Sequence, residues 1–119
     1  MATLQLTVDG TAVSVQWEEN AAVAALRELA QPQPLTIQTS AYGGFEQVGS
    51  LGTSLPRQDV ATTTAAGDIV LYNGSNLVLF YGANSWDYTR LGRIDGLTAE
   101  ELRALLDRAA VTVTLTVVE

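Results

Sequence analysis

Aromatic side chains are the residues of this chain best able to form a binding site. The sequence holds four Tyr, two Phe and two Trp, and all of them except Trp17 lie between Tyr42 and Tyr88. Aromatic rings supply large apolar surface, and Tyr and Trp add a polar tip. Their crowding into one part of the chain predicts an aromatic-rich face, with barrel core and surface packing as the alternative explanation.

Arg57 is the charged residue that best complements such a face. It follows Pro56 in a predicted loop and offers a rigid fork of five donors, although pairing with a carboxylate or with loop carbonyls is an alternative role. An apolar groove with a few polar tips is typical of small-molecule and peptide sites. The candidate ligand-binding residues are therefore Phe45, Arg57, Tyr72, Phe80, Trp86 and Tyr88. We expect Arg57 and either Trp86 or Tyr88 to border one groove.

Several kinds of catalytic site are excluded by residue type. The sequence has no Cys and no His, which removes thiol nucleophiles, His-based triads and Cys/His zinc sites. Glu18-Glu19 and Glu100-Glu101 are each expected in the first turn of a helix, where the helix dipole and capping explain them. The glycines between Gly43 and Gly52 fit turns better than a phosphate cradle, because no strand and helix N-terminus flank them. We therefore assign no catalytic residues, no metal site and no cofactor.

The charge of the chain narrows the range of partners. Thirteen acidic residues face six basic ones, all of them Arg, for a net charge of −7. Such a field repels phosphate backbones and anionic lipid surfaces, so we expect no nucleic-acid or membrane partner. Met1-Ala2-Thr3 lacks the basic start of a signal peptide and no apolar run is long enough to span a bilayer, which predicts a cytoplasmic location.

Periodicity predicts a mainly β chain. Leu4 to Val8 and Val13 to Trp17 alternate around Asp9-Gly10 and predict a hairpin. A further hairpin is expected from Ile69 to Tyr81, with a four-residue connection at Asn73 to Asn76. Gly82 to Asp87 is predicted to be a loop before a short strand from Tyr88 to Ile94. Arg90 and Arg93 in that strand are expected on opposite faces.

Two helices are predicted between the strands. The first begins at the potential cap Asn20 and ends by Pro32. The second begins at Thr98, where Thr98 and Glu101 form a capping box and Leu97 and Leu102 a hydrophobic staple. The final strand, Val111 to Val117, alternates as strongly as the first, so we expect the two terminal strands to pair in one sheet.

Three motifs identify a resemblance to a known family. The segments LPR (55–57), GDIVLYNGSNLVLFY (67–81) and LGRIDGL (91–97) resemble the small bacterial and archaeal cyclophilin-like domains. That resemblance implies a single domain over residues 1–119, with a closed eight-stranded β-barrel and a short α-helix over each open end. It identifies an architecture rather than a reaction.

The resemblance does not extend to the catalytic pattern of cyclophilins. The chain has no His, and its double glycine, Gly43-Gly44, precedes Phe45 and Gln47 instead of following them. The sequence thus favours a non-catalytic module that binds a small, anionic ligand or a peptide. A weak peptidyl-prolyl isomerase, or another enzyme with an Arg57-anchored groove, is the first alternative. A domain that acts through oligomer or partner contacts at Ser85 to Tyr88 is the second, and the oligomeric state is left open.

Overall fold

A computed structural model describes residues 3–118 as nine strands and two helices. The strands are β1 (Thr3–Val8), β2 (Thr11–Trp17), β3 (Leu35–Tyr42), β4 (Glu46–Ser50), β5 (Val60–Thr63), β6 (Asp68–Tyr72), β7 (Asn76–Phe80), β8 (Ser85–Asp95) and β9 (Ala110–Val118). The helices are α1 (Ala21–Ala30) and α2 (Ala99–Leu106). Met1, Ala2 and Glu119 lie outside the described residues, and with them most of the segment used to predict the location.

Eight of the strands close into an antiparallel barrel, as predicted. Their order is β2, β1, β9, β3, β4, β7, β6, β8, and β8 pairs with β2 to complete the ring. The terminal strands meet from Thr3↔Val118 to Val8↔Val113, which confirms that they share a sheet. Strand β5 is additional, since it pairs with β8 alone. Closure leaves β5 as the one open edge among the described strands.

The two helices close opposite ends of the barrel. Helix α1 joins β2 to β3, beside the start of β1, where the Trp17 indole donates to the Leu4 carbonyl (2.9 Å). Helix α2 joins β8 to β9 at the other end, where Ala110 pairs with Ser40. Buried residues from both helices belong to the same apolar cluster as the inward-facing strand residues. The helices therefore complete the core that the strands enclose.

Local signals fixed several element boundaries correctly. Asn20 caps α1 by accepting a hydrogen bond from the backbone N–H of Val23. Thr98 and Glu101 form the full capping box at the start of α2. Asp9 and Gly10 have φ of 48° and 83°, as the tight β1–β2 turn requires. The expectation that Glu18 and Glu19 lie in the first turn of α1 was wrong, because the helix begins after Asn20.

Two predictions about β8 were also wrong. Ser85 to Asp87 are not loop but strand, because they pair with Ala61 to Thr63 of β5 and form a two-stranded ribbon. Arg90 and Arg93 do not diverge, because a register shift opposite Ile69 and Val70 inserts an extra residue into β8. The shift turns both arginines toward Asp68, at 3.5 Å each.

The β6–β7 connection is three residues, 73–75, one fewer than expected.

No helix among residues 3–118 is long and apolar enough to cross a membrane.

Candidate functional site

A second, smaller apolar cluster lies on the outer face of the barrel. Alternation along β6 and β7 sends Ile69 and Leu79 into the main core, whereas Val70 and Val78 point outward. The outward cluster contains Val70, Val78, Phe80 and Tyr88, with Phe45 and Val48 packed against it. An outer face of a barrel is normally in contact with water. Here it is covered because the β3–β4 turn and the ribbon of β5 with β8 fold over it.

The covered face carries a groove with a volume of about 610 Å³, which we call the aromatic groove. Its lining residues come from β3, β4, β6, β8 and the segments that join them: Ser40, Ala41, Tyr42, Phe45, Glu46, Val48, Tyr72, Asn84, Trp86 and Tyr88. This volume lies in the range typical of small-molecule sites.

Ring contacts build the floor of the aromatic groove. Phe80 stacks on Phe45 with centroids 6.4 Å apart and meets Tyr88 edge-on at 5.6 Å. Tyr88 in turn contacts Tyr72 at 6.1 Å, and Tyr42 contacts Phe45 at 6.2 Å. Offset and edge-to-face pairs of this kind stabilise one another beyond simple burial. The five rings therefore form a continuous, preformed cluster, and all of them except the buried Phe80 line the groove.

The rim of the aromatic groove is apolar and exposed. Trp86 is 60% exposed and Tyr42 67% exposed, and Tyr72 is also among the exposed large apolar residues. Trp86 sits on the ribbon, where its backbone pairs with Thr62. Exposed aromatic side chains that border a concave surface mark binding sites more often than isolated ones do.

Polar groups in the aromatic groove are few and differ in their partners. The Tyr88 hydroxyl accepts a hydrogen bond from the Asn84 amide at 2.8 Å. Burial raises the pKa of Tyr88 above its ordinary value, and the nearby Glu46 adds to this effect. Burial also raises the pKa of Glu46, to about 7. Glu46 is thus the acidic group of the groove, and its carboxyl group gains or loses its proton near neutral pH.

Arg57 lies beside the aromatic groove rather than in it. It lines a neighbouring depression of about 300 Å³, together with Trp86 and Tyr72, which separate the two. Its guanidinium is ion-paired with Asp59 and donates to the Asn73 side chain at 3.1 Å. Burial alone would raise the pKa of Asp59, but hydrogen bonds from Thr89 and Arg57 outweigh it and lower that pKa.

The contacts of Arg57 give it a structural role. Its stem packs 3.2 Å from the position a Cβ would take on Gly74, in the β6–β7 turn. Leu55 N–H donates to the Gly74 carbonyl at 2.8 Å in the same contact. Gly74 also has φ of 76°, so a larger residue would be strained and would press on Arg57. The LPR segment is thereby fastened to the NGS turn.

The six predicted site residues are thus placed in three settings. Phe45, Tyr72, Trp86 and Tyr88 line the aromatic groove, with Tyr72 and Trp86 shared with the Arg57 depression. Phe80 is fully buried beneath the floor and is not among the lining side chains. Arg57 and Trp86 border one depression, whereas Tyr88 borders the other.

Sequence reasoning missed Tyr42, Glu46 and Asn84 as groove residues. Glu46 stands at an outward position of β4, two residues before Val48, where an acid usually meets water. Nothing in the local sequence shows that the ribbon covers this position. The contact between Asn84 and Tyr88 depends on the same tertiary arrangement.

Comparison with known proteins gives one result that bears on identity. A search of curated proteins finds no match. A sequence model of the cyclophilin-like family matches residues 6–117, which is nearly the whole chain. Together with the closed barrel and its two helices, this match shows that the chain belongs to the cyclophilin-like family.

Proposed function

We propose that this cyclophilin-like barrel is a non-catalytic binding module, and that the aromatic groove holds a small molecule or a short peptide. The observation that supports this most is the position of Trp86 and Tyr42, which are exposed beside a groove that already has a packed floor. A rigid floor lowers the entropy lost on binding, because few side chains need to be ordered.

The composition of the groove argues against prolyl isomerisation. Rotation about an X–Pro bond needs donors placed to stabilise the twisted amide, and its barrier is about 18–20 kcal/mol. The lining residues given above include no Arg and no Gln, and the Asn84 amide already donates to Tyr88. Arg57 is held by Asp59 and Asn73. The groove therefore supports binding better than catalysis.

The test uses the two tryptophans as separate reporters. Trp17 donates its indole N–H to Leu4 inside the fold, whereas Trp86 is exposed at the groove. In a ¹⁵N-labelled sample, the two indole N–H signals are assigned with Trp86→Phe. A mixed library of metabolites and short peptides should contain compounds that move the Trp86 signal and leave the Trp17 signal in place.

Mutation of the groove provides the control for that screen. Tyr42→Ala should weaken any ligand found, while Tyr81→Phe, a change of a buried tyrosine outside the groove lining, should not. A library without a single compound that moves the Trp86 signal would contradict the proposed function. An isomerase rate comparable to that of ordinary cyclophilins, lost in Tyr42→Ala, would replace it with the enzyme alternative.

A partner-binding role is a second candidate, supported by the free edge of β5. Strand β5 pairs on one side only, and Val60 is exposed at its start beside Trp86. An open edge with apolar neighbours can accept a strand from another chain. Sedimentation of the chain over a range of concentrations should show association that Val60→Lys abolishes if this role holds. A monomer at every concentration would leave no support for self-association.

A further inference from the structure

Glu46 is the group in the aromatic groove that the fold does not explain. It is 7% exposed, although it points outward from a central strand of the barrel. Its neighbours across the sheet are Tyr42 on β3 and Phe80 on β7. The outward side chain that follows it on β4 is Val48, which packs against the outer apolar cluster. An apolar residue would fit the same position.

The Glu46 carboxyl has no protein partner among residues 3–118. It takes part in no hydrogen bond and no ion pair with the described side chains or backbone. A buried carboxylate without a partner costs free energy, and an apolar residue of similar shape is often equally stable or more so. The structure thus holds an acid without a hydrogen-bond or ion-pair partner among the described residues, and its oxygens are not fully enclosed, because it lines an open groove.

The walls of the groove suit the ligand that such an acid would attract. Rings of Tyr, Trp and Phe attract cations to their faces because each face carries a negative electrostatic potential. Tyr42, Tyr72 and Trp86 stand at the rim, and Arg57, the cation of the neighbouring depression, is already neutralised by Asp59. The chain as a whole carries a charge of −7, which also favours positively charged ligands.

We propose that the aromatic groove binds a small organic cation with an alkylated ammonium head group, with Glu46 as counter-ion and the aromatic rim as its walls. This inference rests on the proposed function, because it requires the groove to be a ligand site. It replaces the anionic ligand expected from the sequence. A free small molecule is favoured over a side chain of a protein because the groove volume matches small-molecule sites.

The ionisable groups around Glu46 are almost all tyrosines. Tyr81 and Tyr88 interact with it electrostatically, and the pKa of each is raised above its ordinary value, chiefly by burial. Tyr42 and Tyr72 share the groove, and Arg103 and Asp107 lie beyond Tyr81. Glu46 is therefore the group whose charge changes near neutral pH, and cation binding should strengthen as the pH rises through about 7.

A matched pair of probes tests the inference. Choline carries a trimethylammonium group, and 3,3-dimethylbutanol is its neutral isostere, with carbon in place of nitrogen. Each is titrated while the Trp86 indole signal is followed, with the Trp17 signal as internal reference. At alkaline pH choline should bind more than about tenfold tighter than the isostere, a difference that a desolvated cation–π site with a counter-ion can supply.

Variants separate the charge of Glu46 from the shape of the groove. Glu46→Gln should abolish the preference for choline and its pH dependence, while it leaves binding of the isostere unchanged. Glu28→Gln, on the exposed face of α1, should alter neither. Trp86→Phe keeps a ring in the same place and, followed by calorimetry, should retain the preference for the cation.

Each other outcome overturns the inference in a distinct way. Equal affinity for the two probes, or a choline affinity unaffected by Glu46→Gln, would contradict the role of Glu46 while the groove remained a ligand site. A peptide with trimethyllysine that binds tenfold tighter than choline would contradict the small-molecule assignment. If library compounds move the Trp86 signal and choline does not, the inference fails and the proposed function stands.

Discussion

Two buried carboxylates lie on neighbouring parts of the barrel wall with opposite surroundings. Asp68, at 2% exposure, faces Arg90 and Arg93 at 3.5 Å each and accepts a hydrogen bond from the backbone N–H of Ala65 at 2.9 Å. Glu46, at 7% exposure, meets rings and valines and has no such partner among the described residues. The first acid is part of the structure. The second is available to something outside it.

The difference shows how the family motifs are used. Asp68 belongs to the GDIV segment, and Arg93 to LGRIDGL, so two motifs meet at one ion-pair cluster. Arg57 of LPR is likewise bound to the turn of the central motif through Asn73. Charged residues of the motifs thus contact other motifs, although Asp68 Oδ1 meets Arg93 only as an ion pair without a hydrogen bond, and the charge of Arg57 is balanced by Asp59, outside the motifs. The charged motif residues therefore serve the fold, whereas the central motif also supplies Tyr72 to the aromatic groove and Phe80 to the cluster beneath it.

Removing the acid from the first cluster should have the largest effect on stability. Asp68→Asn leaves the shape of the side chain but removes the charge that Arg90 and Arg93 share. We expect the free energy of unfolding to fall by about 2–3 kcal/mol, as for other buried charge-assisted contacts. Urea denaturation measures the change. Asp87→Asn, at an exposed position on the ribbon, is the matched control and should stay within about 0.5 kcal/mol of the unmodified chain.

The equivalent change at the second acid, Glu46→Gln, should raise the free energy of unfolding instead of lowering it. In the folded chain Glu46 keeps its proton up to about pH 7, whereas the unfolded chain loses it near 4.5. The folded state therefore binds more protons between these values, and the free energy of unfolding decreases as the pH rises through them. Glu46→Gln does not titrate, so it should be more stable than the unmodified chain by about 1–3 kcal/mol at alkaline pH, with no difference below about pH 4.5.

Denaturation curves at acidic, neutral and alkaline pH check this prediction. Glu28→Gln serves as the control, because its side chain is exposed on α1 and should leave the pH dependence unchanged. A Glu46→Gln variant that is less stable than the unmodified chain at alkaline pH would show that the ionised Glu46 has a partner in the fold. The contrast between the two carboxylates would then disappear.

The strands and helices could be predicted because their signals were local or repeated, whereas the closed barrel was implied by the resemblance to the cyclophilin-like domains. Alternation marked the terminal strands, Asp9-Gly10 marked the first turn, and Thr98 with Glu101 marked the start of α2. The site was harder to predict because it is formed by contacts between distant segments. Glu46 is buried because the β3–β4 turn and the ribbon of β5 with β8 cover the outer face of β4, and Tyr81 and Gly82 donate to the Phe45 carbonyl beside it, both at 3.0 Å.

The arginines show in the same way that contacts between distant segments are hard to predict from the sequence. The examples are Arg57 and the pair Arg90 and Arg93. Arg57 has the residue type of an anion-binding group, but Asp59 and Asn73 occupy its donors. The faces of Arg90 and Arg93 depend on one inserted residue in β8, which no alternation pattern reveals. Residue type predicts what a side chain can bind, and tertiary structure decides whether it is still free to do so.

The helix cap at Thr98 should have an effect on stability of intermediate size, with which the effects of the two carboxylates can be compared. Thr98→Ala removes the side-chain acceptor for the backbone N–H of Glu101, which it meets at 3.1 Å. We expect a loss of about 1 kcal/mol in the free energy of unfolding, smaller than that for Asp68→Asn. Thr98→Ser retains the acceptor and should lose much less. Equal losses in the two variants would mean that the methyl group, rather than the cap, is responsible.

The smallest effect on stability should come from the rim of the aromatic groove. Trp86 is 60% exposed, so Trp86→Ala removes little buried surface and should change the free energy of unfolding by less than about 0.5 kcal/mol. If the groove binds a ligand, the same variant should lose most of its affinity in calorimetry, because an exposed ring that contributes little to folding is available for binding. Tyr72→Ala is the informative companion. Tyr72 contacts Tyr88 and lies at the shared edge of the two depressions, so its loss should lower both stability and affinity. A Trp86→Ala variant destabilised as strongly as Asp68→Asn would instead show that Trp86 stabilises the ribbon. The part of the barrel wall that stabilises the fold would then not be separate from the part that binds a ligand.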